Sequence, residues 1–145
     1  MKKTIIGLVA ASFVTITTFG RDREPNPSVL QAFNTEFKKA TNVEWHERPD
    51  FAKVNFILNG SRVEAYYEFD GELIGTARTI LFDQLPLAAL KKIETRFPQA
   101  AYYDLTEYDK RGEIFYMLTV EQGSKKLTVK VFPSGDVSVE KKSSL

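Results

Sequence analysis

Apolar positions in this chain recur at two spacings, three to four residues and two residues, and the switches between them mark out elements. Asn26-Pro27-Ser28 opens the first stretch, with Asn26 placed to cap a helix and Pro27 suited to its first turn. Leu30, Phe33 and Phe37 follow at i, i+3 and i+7, one apolar stripe of an amphipathic helix. After Thr41-Asn42 the period falls to two, and Val43 and Trp45 alternate with Glu44 and His46. Ala52, Val54, Phe56 and Leu58 predict a second strand, and Asn59-Gly60 is a strong hairpin signal. Val63, Ala65, Tyr67 and Phe69 predict a third strand, Asp70-Gly71 a tight turn, and Glu72 to Leu81 a fourth strand.

The same succession returns from Leu85-Pro86 onward. Leu90, Ile93 and Phe97 repeat the helix stripe 60 residues later, and Pro98 ends it. Tyr103 and Leu105 correspond to Val43 and Trp45 at that offset, and Ile114, Tyr116, Leu118 and Val120 to Ala52, Val54, Phe56 and Leu58 at 62. Leu127, Val129 and Val131 follow, then Ser134-Gly135 as a turn and Val137 and Val139 as a last strand. The expected fold class is α+β: two tandem units, 27–82 and 83–142, each a helix plus a four-stranded antiparallel meander. The helices are expected on one face of the sheet.

Ahead of these units, Met1-Lys2-Lys3 precedes an apolar run from Thr4 to Phe19, and Gly20-Arg21-Asp22-Arg23-Glu24 turns abruptly polar. That layout predicts a secretory signal peptide over residues 1–20, and a periplasmic or secreted protein after cleavage near Gly20. The run is short for a membrane anchor, which needs roughly 20 apolar residues.

Composition narrows the function. The chain has 145 residues, 43% of them hydrophobic and 27% charged, an ordinary globular mix. Without Lys2 and Lys3, 18 basic residues face 19 acidic ones. A near-neutral chain predicts no nucleic-acid partner and no membrane attachment once the signal is removed. Zero cysteines rules out disulfides, thiol catalysis and cysteine-ligated metals, and one histidine rules out a multi-histidine centre.

Several segments carry a family resemblance. Phe37-x-x-Ala40-x-x-Val43-x-Trp45, Val54-x-Phe56 before Asn59-Gly60, and Phe69-Asp70-Gly71-Glu72-Leu73 are similar to the PepSY-like family of exported bacterial proteins. Leu85-Pro86 and Phe97-Pro98-x-Ala100 resemble the start of its next repeat. The family is described as β-lactamase-inhibitor-like, after a tandem helix-plus-four-strand inhibitor fold. The resemblance covers roughly residues 27–140 and implies a fold, a compartment and a leaning towards binding or inhibiting another protein. It departs at Leu105, where the first half has Trp45, and at Pro133-Ser134-Gly135, where the first half has Phe69-Asp70-Gly71.

Candidates for catalysis are few. Glu44 and His46 share a strand face but lack further ligands for a structural metal. Glu64 and Glu68 lie about 13 Å apart at ~3.3 Å per residue, too far for a glycosidase pair. No phosphate-binding glycine loop or nucleophile elbow is present, so neither an enzyme nor a cofactor is expected. Trp45, the sole tryptophan, shares the core phase with Val43, although tryptophan also anchors interfaces.

The opposite strand phase holds more. If Val54, Phe56, Val63, Ala65, Tyr116 and Leu118 face the helices, then Tyr66, Tyr102, Tyr108, Phe115, Met117 and Phe132 face away. Aromatics and methionine mixed with charges compose a contact surface, whereas a solvated sheet face would be polar. Simple cross-strand packing is the competing explanation. The sequence thus predicts an exported, non-catalytic module binding a protein through an open sheet face, with inhibition of a secreted or periplasmic enzyme as one role open to it. The alternative is a structural or adhesion-type envelope protein that binds polymer or small ligands.

Overall fold

A computed structural model describes residues 25–144; the predicted signal peptide lies outside them. In chain order the elements are α1 (Pro27–Glu36), β1 (Thr41–Glu47), β2 (Ala52–Leu58), β3 (Ser61–Tyr67) and β4 (Leu73–Thr79). A 3-10 turn (Phe82–Gln84) leads to α2 (Leu87–Arg96), β5 (Ala101–Lys110), β6 (Glu113–Gln122), β7 (Lys125–Val131) and β8 (Val137–Ser144).

The local signals act as their chemistry requires. The Asn26 side chain accepts a hydrogen bond from the Val29 amide at 3.0 Å, with Pro27 in the first helical turn. Asn59 and Gly60 both take positive φ, 51° and 81°, in the β2–β3 hairpin. Gly71 is held at φ 98°, and a Cβ there would sit 2.8 Å from the Ser28 carbonyl oxygen, so this turn against α1 needs glycine.

The expected pair of tandem helix-plus-four-strand units requires correction. Among the described residues all eight strands form one antiparallel sheet in sequence order, so this part of the chain is mostly a single meander with two ten-residue helices. The joint is made by β4 and β5, paired from Gly75↔Lys110 to Thr79↔Thr106. Hydrophobic period reports the face a residue occupies and says nothing of which strand satisfies the edge amides and carbonyls.

Cross-strand registry identifies the faces. Val63 opposes Arg78, Arg78 opposes Glu107, and Glu107 opposes Tyr116, so Val63 and Tyr116 share one side. On that side α1 packs Val29 and Phe33 onto Val54, Phe56 and Ala65, and α2 packs Ala89 and Ile93 onto Leu118, Val120 and Val129. The two clusters share no residue. Between them Arg78 and Glu107 form an ion pair at 2.8 Å. Trp45 packs against the α1 cluster, its ring edge-on to Phe33 at 5.2 Å. Val43, two residues before it, is 39% exposed.

Candidate binding face

Among the described residues no helix packs on the opposite side of the sheet. Glu64 opposes Ala77, Ala77 opposes Tyr108, and Tyr108 opposes Phe115, which makes one row across the strands. Tyr108 and Phe115 stack at 5.1 Å with an interplanar angle of 11°, and Phe132 lies 6.5 Å beyond Phe115. Lys130 places its ammonium 4.1 Å from the Phe115 centroid and 4.8 Å from that of Phe132. Met117, one step along β6, sits between Thr106 and Lys130. None of these side chains is wholly exposed, because the rings cover one another.

Tyr66 stands across a gap from this row. It opposes Gly75, where a Cβ would sit 2.3 Å from the Asp109 carbonyl oxygen, and a depression of about 130 Å³ there is flanked by Tyr66, Tyr108 and Phe115. The Tyr66 hydroxyl donates to Glu64 at 2.6 Å, and Lys53 binds the other oxygen of that carboxylate at 2.8 Å. Burial, then the bond to a carboxylate, pushes the Tyr66 hydroxyl far above the usual tyrosine value. Burial also works to raise the Glu64 carboxyl, but the bonds from Lys53 and Tyr66 and the charge of Arg62 prevail and hold it low. Glu64 is therefore a fixed anion that orients Tyr66, a positioning role with no proton to give at neutral pH.

Tyr102 does not belong to this face. It opposes the buried Val120, stacks on Phe82 at 4.5 Å and donates its hydroxyl to the Phe97 carbonyl at 2.6 Å, all on the helix side. The cause is a β-bulge between Tyr103 and Thr106, with Asp104 at φ 55°. One extra residue inverts the inward and outward phase of everything before it. Tyr103 takes the outward position instead: it opposes Thr119, donates to Glu121 at 2.8 Å and lies under Lys126 at 5.2 Å. Aspartate tolerates the left-handed conformation, and that tolerance was the one trace of the bulge in the sequence.

Acid-base and metal chemistry find little here. The His46 ring lies 3.2 Å from the Asn55 amide, on a strand position opposite Lys53. Among the described residues one carboxylate trio, Glu68, Asp70 and Glu72, comes within 4.8 Å of itself. The Arg111 guanidinium already occupies it, 2.6 Å from Glu68 and 3.5 Å from Glu72.

Comparison places this architecture in a known class of fold. No protein-family model matches the sequence, and no curated protein matches it. Solved structures do. A BLIP-like protein of Bacteroides fragilis NCTC 9343 aligns with a TM-score of 0.74 at 19% identity, over 85% of this chain and 89% of that one. A DUF2874 family protein of Bacteroides ovatus ATCC 8483 aligns with a TM-score of 0.72 at 17% identity, over 84% and 89%. A protein of Bacteroides eggerthii DSM 20697, assigned provisionally to the periplasm by its name, aligns at 0.71 and 16% identity, over 84% and 90%. At these identities the likeness is one of fold: the chain has a BLIP-like fold.

Proposed function

We propose that this protein is an exported, non-catalytic binding module that docks a protein partner through its open sheet face. Residues 1–20 would direct export, and the module would act in the periplasm or outside the cell. Tyr66, Tyr108, Phe115, Met117 and Phe132 are the contact residues, and Tyr103 joins them. The observation that carries this reading is the row of rings on the side where no described helix packs. Large rigid side chains there offer contact area at small entropic cost, and tyrosine hydroxyls tolerate water when no partner is bound. The BLIP-like fold and the resemblance to a β-lactamase-inhibitor-like family favour an enzyme outside the cytoplasm as the partner, and inhibition as the effect.

The test is capture from the periplasmic or secreted fraction of the native host, with wild type and a Tyr66→Ala/Phe115→Ala variant immobilised side by side. One stoichiometric protein should be retained by the wild type and bind the variant about thirtyfold more weakly, as ~2 kcal/mol at a hot spot implies. Intact mass of the host-derived protein should show a start near Arg21. Retention of glycan in place of protein, or capture indifferent to both substitutions, refutes the reading.

A further inference from the structure

The depression over Gly75 has a charged rim that its apolar lining does not require. Tyr66, Tyr108 and Phe115 flank it, and its volume is about 130 Å³. An apolar cavity of about 150 Å³ accepts a benzene-sized group, so this one suits a single ring or branched side chain. Lys110 stands at its edge, and Lys130 is held over the outer face of Phe115.

Both ammonium groups lack a carboxylate partner among the described residues, whereas Lys53, Arg78 and Arg111 each have one. Two neighbouring carboxylates are already engaged, and Glu113, opposite Lys110 across β5 and β6, makes no ion pair with it among the described residues. Glu64 is bonded by Lys53 and Tyr66, and Asp109, which also lines the depression, accepts the Gly112 amide at 2.9 Å. Lys130 is moreover positioned in advance by two rings, which reduces the freedom it would lose on meeting an anion. An apolar hollow with Lys110 at its edge and Lys130 over the Phe115 ring, neither of them held in an ion pair among the described residues, fits an apolar group that carries negative charge.

We infer that the depression takes an aromatic or branched side chain from an acidic partner segment, with a carboxylate beside that side chain meeting Lys110 or Lys130. This rests on the open face being the docking surface, and it assigns the chemistry of what docks there.

Two peptides of equal size test it, acetyl-Asp-Phe-Asp-amide and acetyl-Lys-Phe-Lys-amide, titrated into the 15N-labelled protein. The acidic peptide should move the amides of Gly75, Tyr108 and Phe115 and bind about tenfold more tightly than the basic one, the scale of two exposed charge pairs. Lys110→Glu/Lys130→Glu should reverse that preference, and the milder Lys110→Gln/Lys130→Gln should abolish it, with thermal midpoints showing that both variants fold. Equal affinities, preference for the basic peptide, or no movement of these amides overturns the inference. So does self-association through this face that the lysine substitutions abolish, because a second copy would then be the occupant. The two readings fail separately. Partner capture that depends on Tyr66 and Phe115 without an acidic preference removes only this inference. An acidic preference with capture indifferent to those residues removes only the docking role.

Discussion

Replacing Phe33 and Phe115 with alanine, one at a time, tests which side of the sheet holds the core. Phe33 is 4% exposed, and the rings of Phe56, Trp45 and Phe37 lie 5.1, 5.2 and 5.6 Å away, the first two edge-on. Truncating a buried phenylalanine costs about 3–5 kcal/mol, and loss of edge-to-face pairs places Phe33→Ala in the upper part of that range. Phe115 is only partly buried, on a face that no described helix covers, so its truncation should cost roughly 1–2 kcal/mol. With a urea dependence of about 2 kcal/mol per molar, the midpoint should fall by roughly 2 M for Phe33→Ala and by less than about 1 M for Phe115→Ala. Circular dichroism follows the whole sheet, and Trp45, the single tryptophan, reports on the α1 cluster beside Phe33. Equal losses, or a larger loss for Phe115→Ala, would show that the faces are assigned backwards and would remove the basis of the docking proposal.

The bulge makes a sharp forecast within two adjacent tyrosines: Tyr102→Ala should lower stability by about 3 kcal/mol or more, and Tyr103→Ala by about 1 kcal/mol, measured by the same urea titration. Alkali should also unfold the protein through Tyr66 and Tyr67, whose hydroxyls are raised by burial and by bonds to Glu64 and Glu36. A raised folded value means that this stability is complete below the unfolded value of about 10 and is lost as pH climbs towards the folded value. Tyrosinate absorbance should therefore appear together with unfolding, and Tyr67→Phe should make the alkaline decline shallower; early ionisation of both groups in the folded protein would contradict it.

Much of the local structure is legible in the sequence because short-range chemistry dictates it. Asn26 and Pro27 start α1, Asn59-Gly60 turns β2 into β3, and the period-two runs of β2, β3, β6 and β7 place Val54, Ala65, Leu118 and Val129 against the helices. The same alternation sets Tyr66, Phe115 and Met117 on the other side. Each of these depends on a residue and its near neighbours in the chain.

Two features depended on tertiary structure. Whether eight strands form one sheet or two is decided at β4 and β5, where long-range backbone hydrogen bonds join Gly75–Thr79 to Thr106–Lys110. Backbone edges look alike whatever side chains they carry, so periodicity could not choose between a closed unit and a continuous meander. The exchange of Tyr102 for Tyr103 is decided by one residue, Asp104, in a left-handed conformation. Alternation assumes that every residue turns the strand over once, and a bulge breaks that assumption without altering the hydrophobic pattern. Only the packing of Tyr102 against Phe82 and the Phe97 carbonyl shows which of the two rings faces the helix.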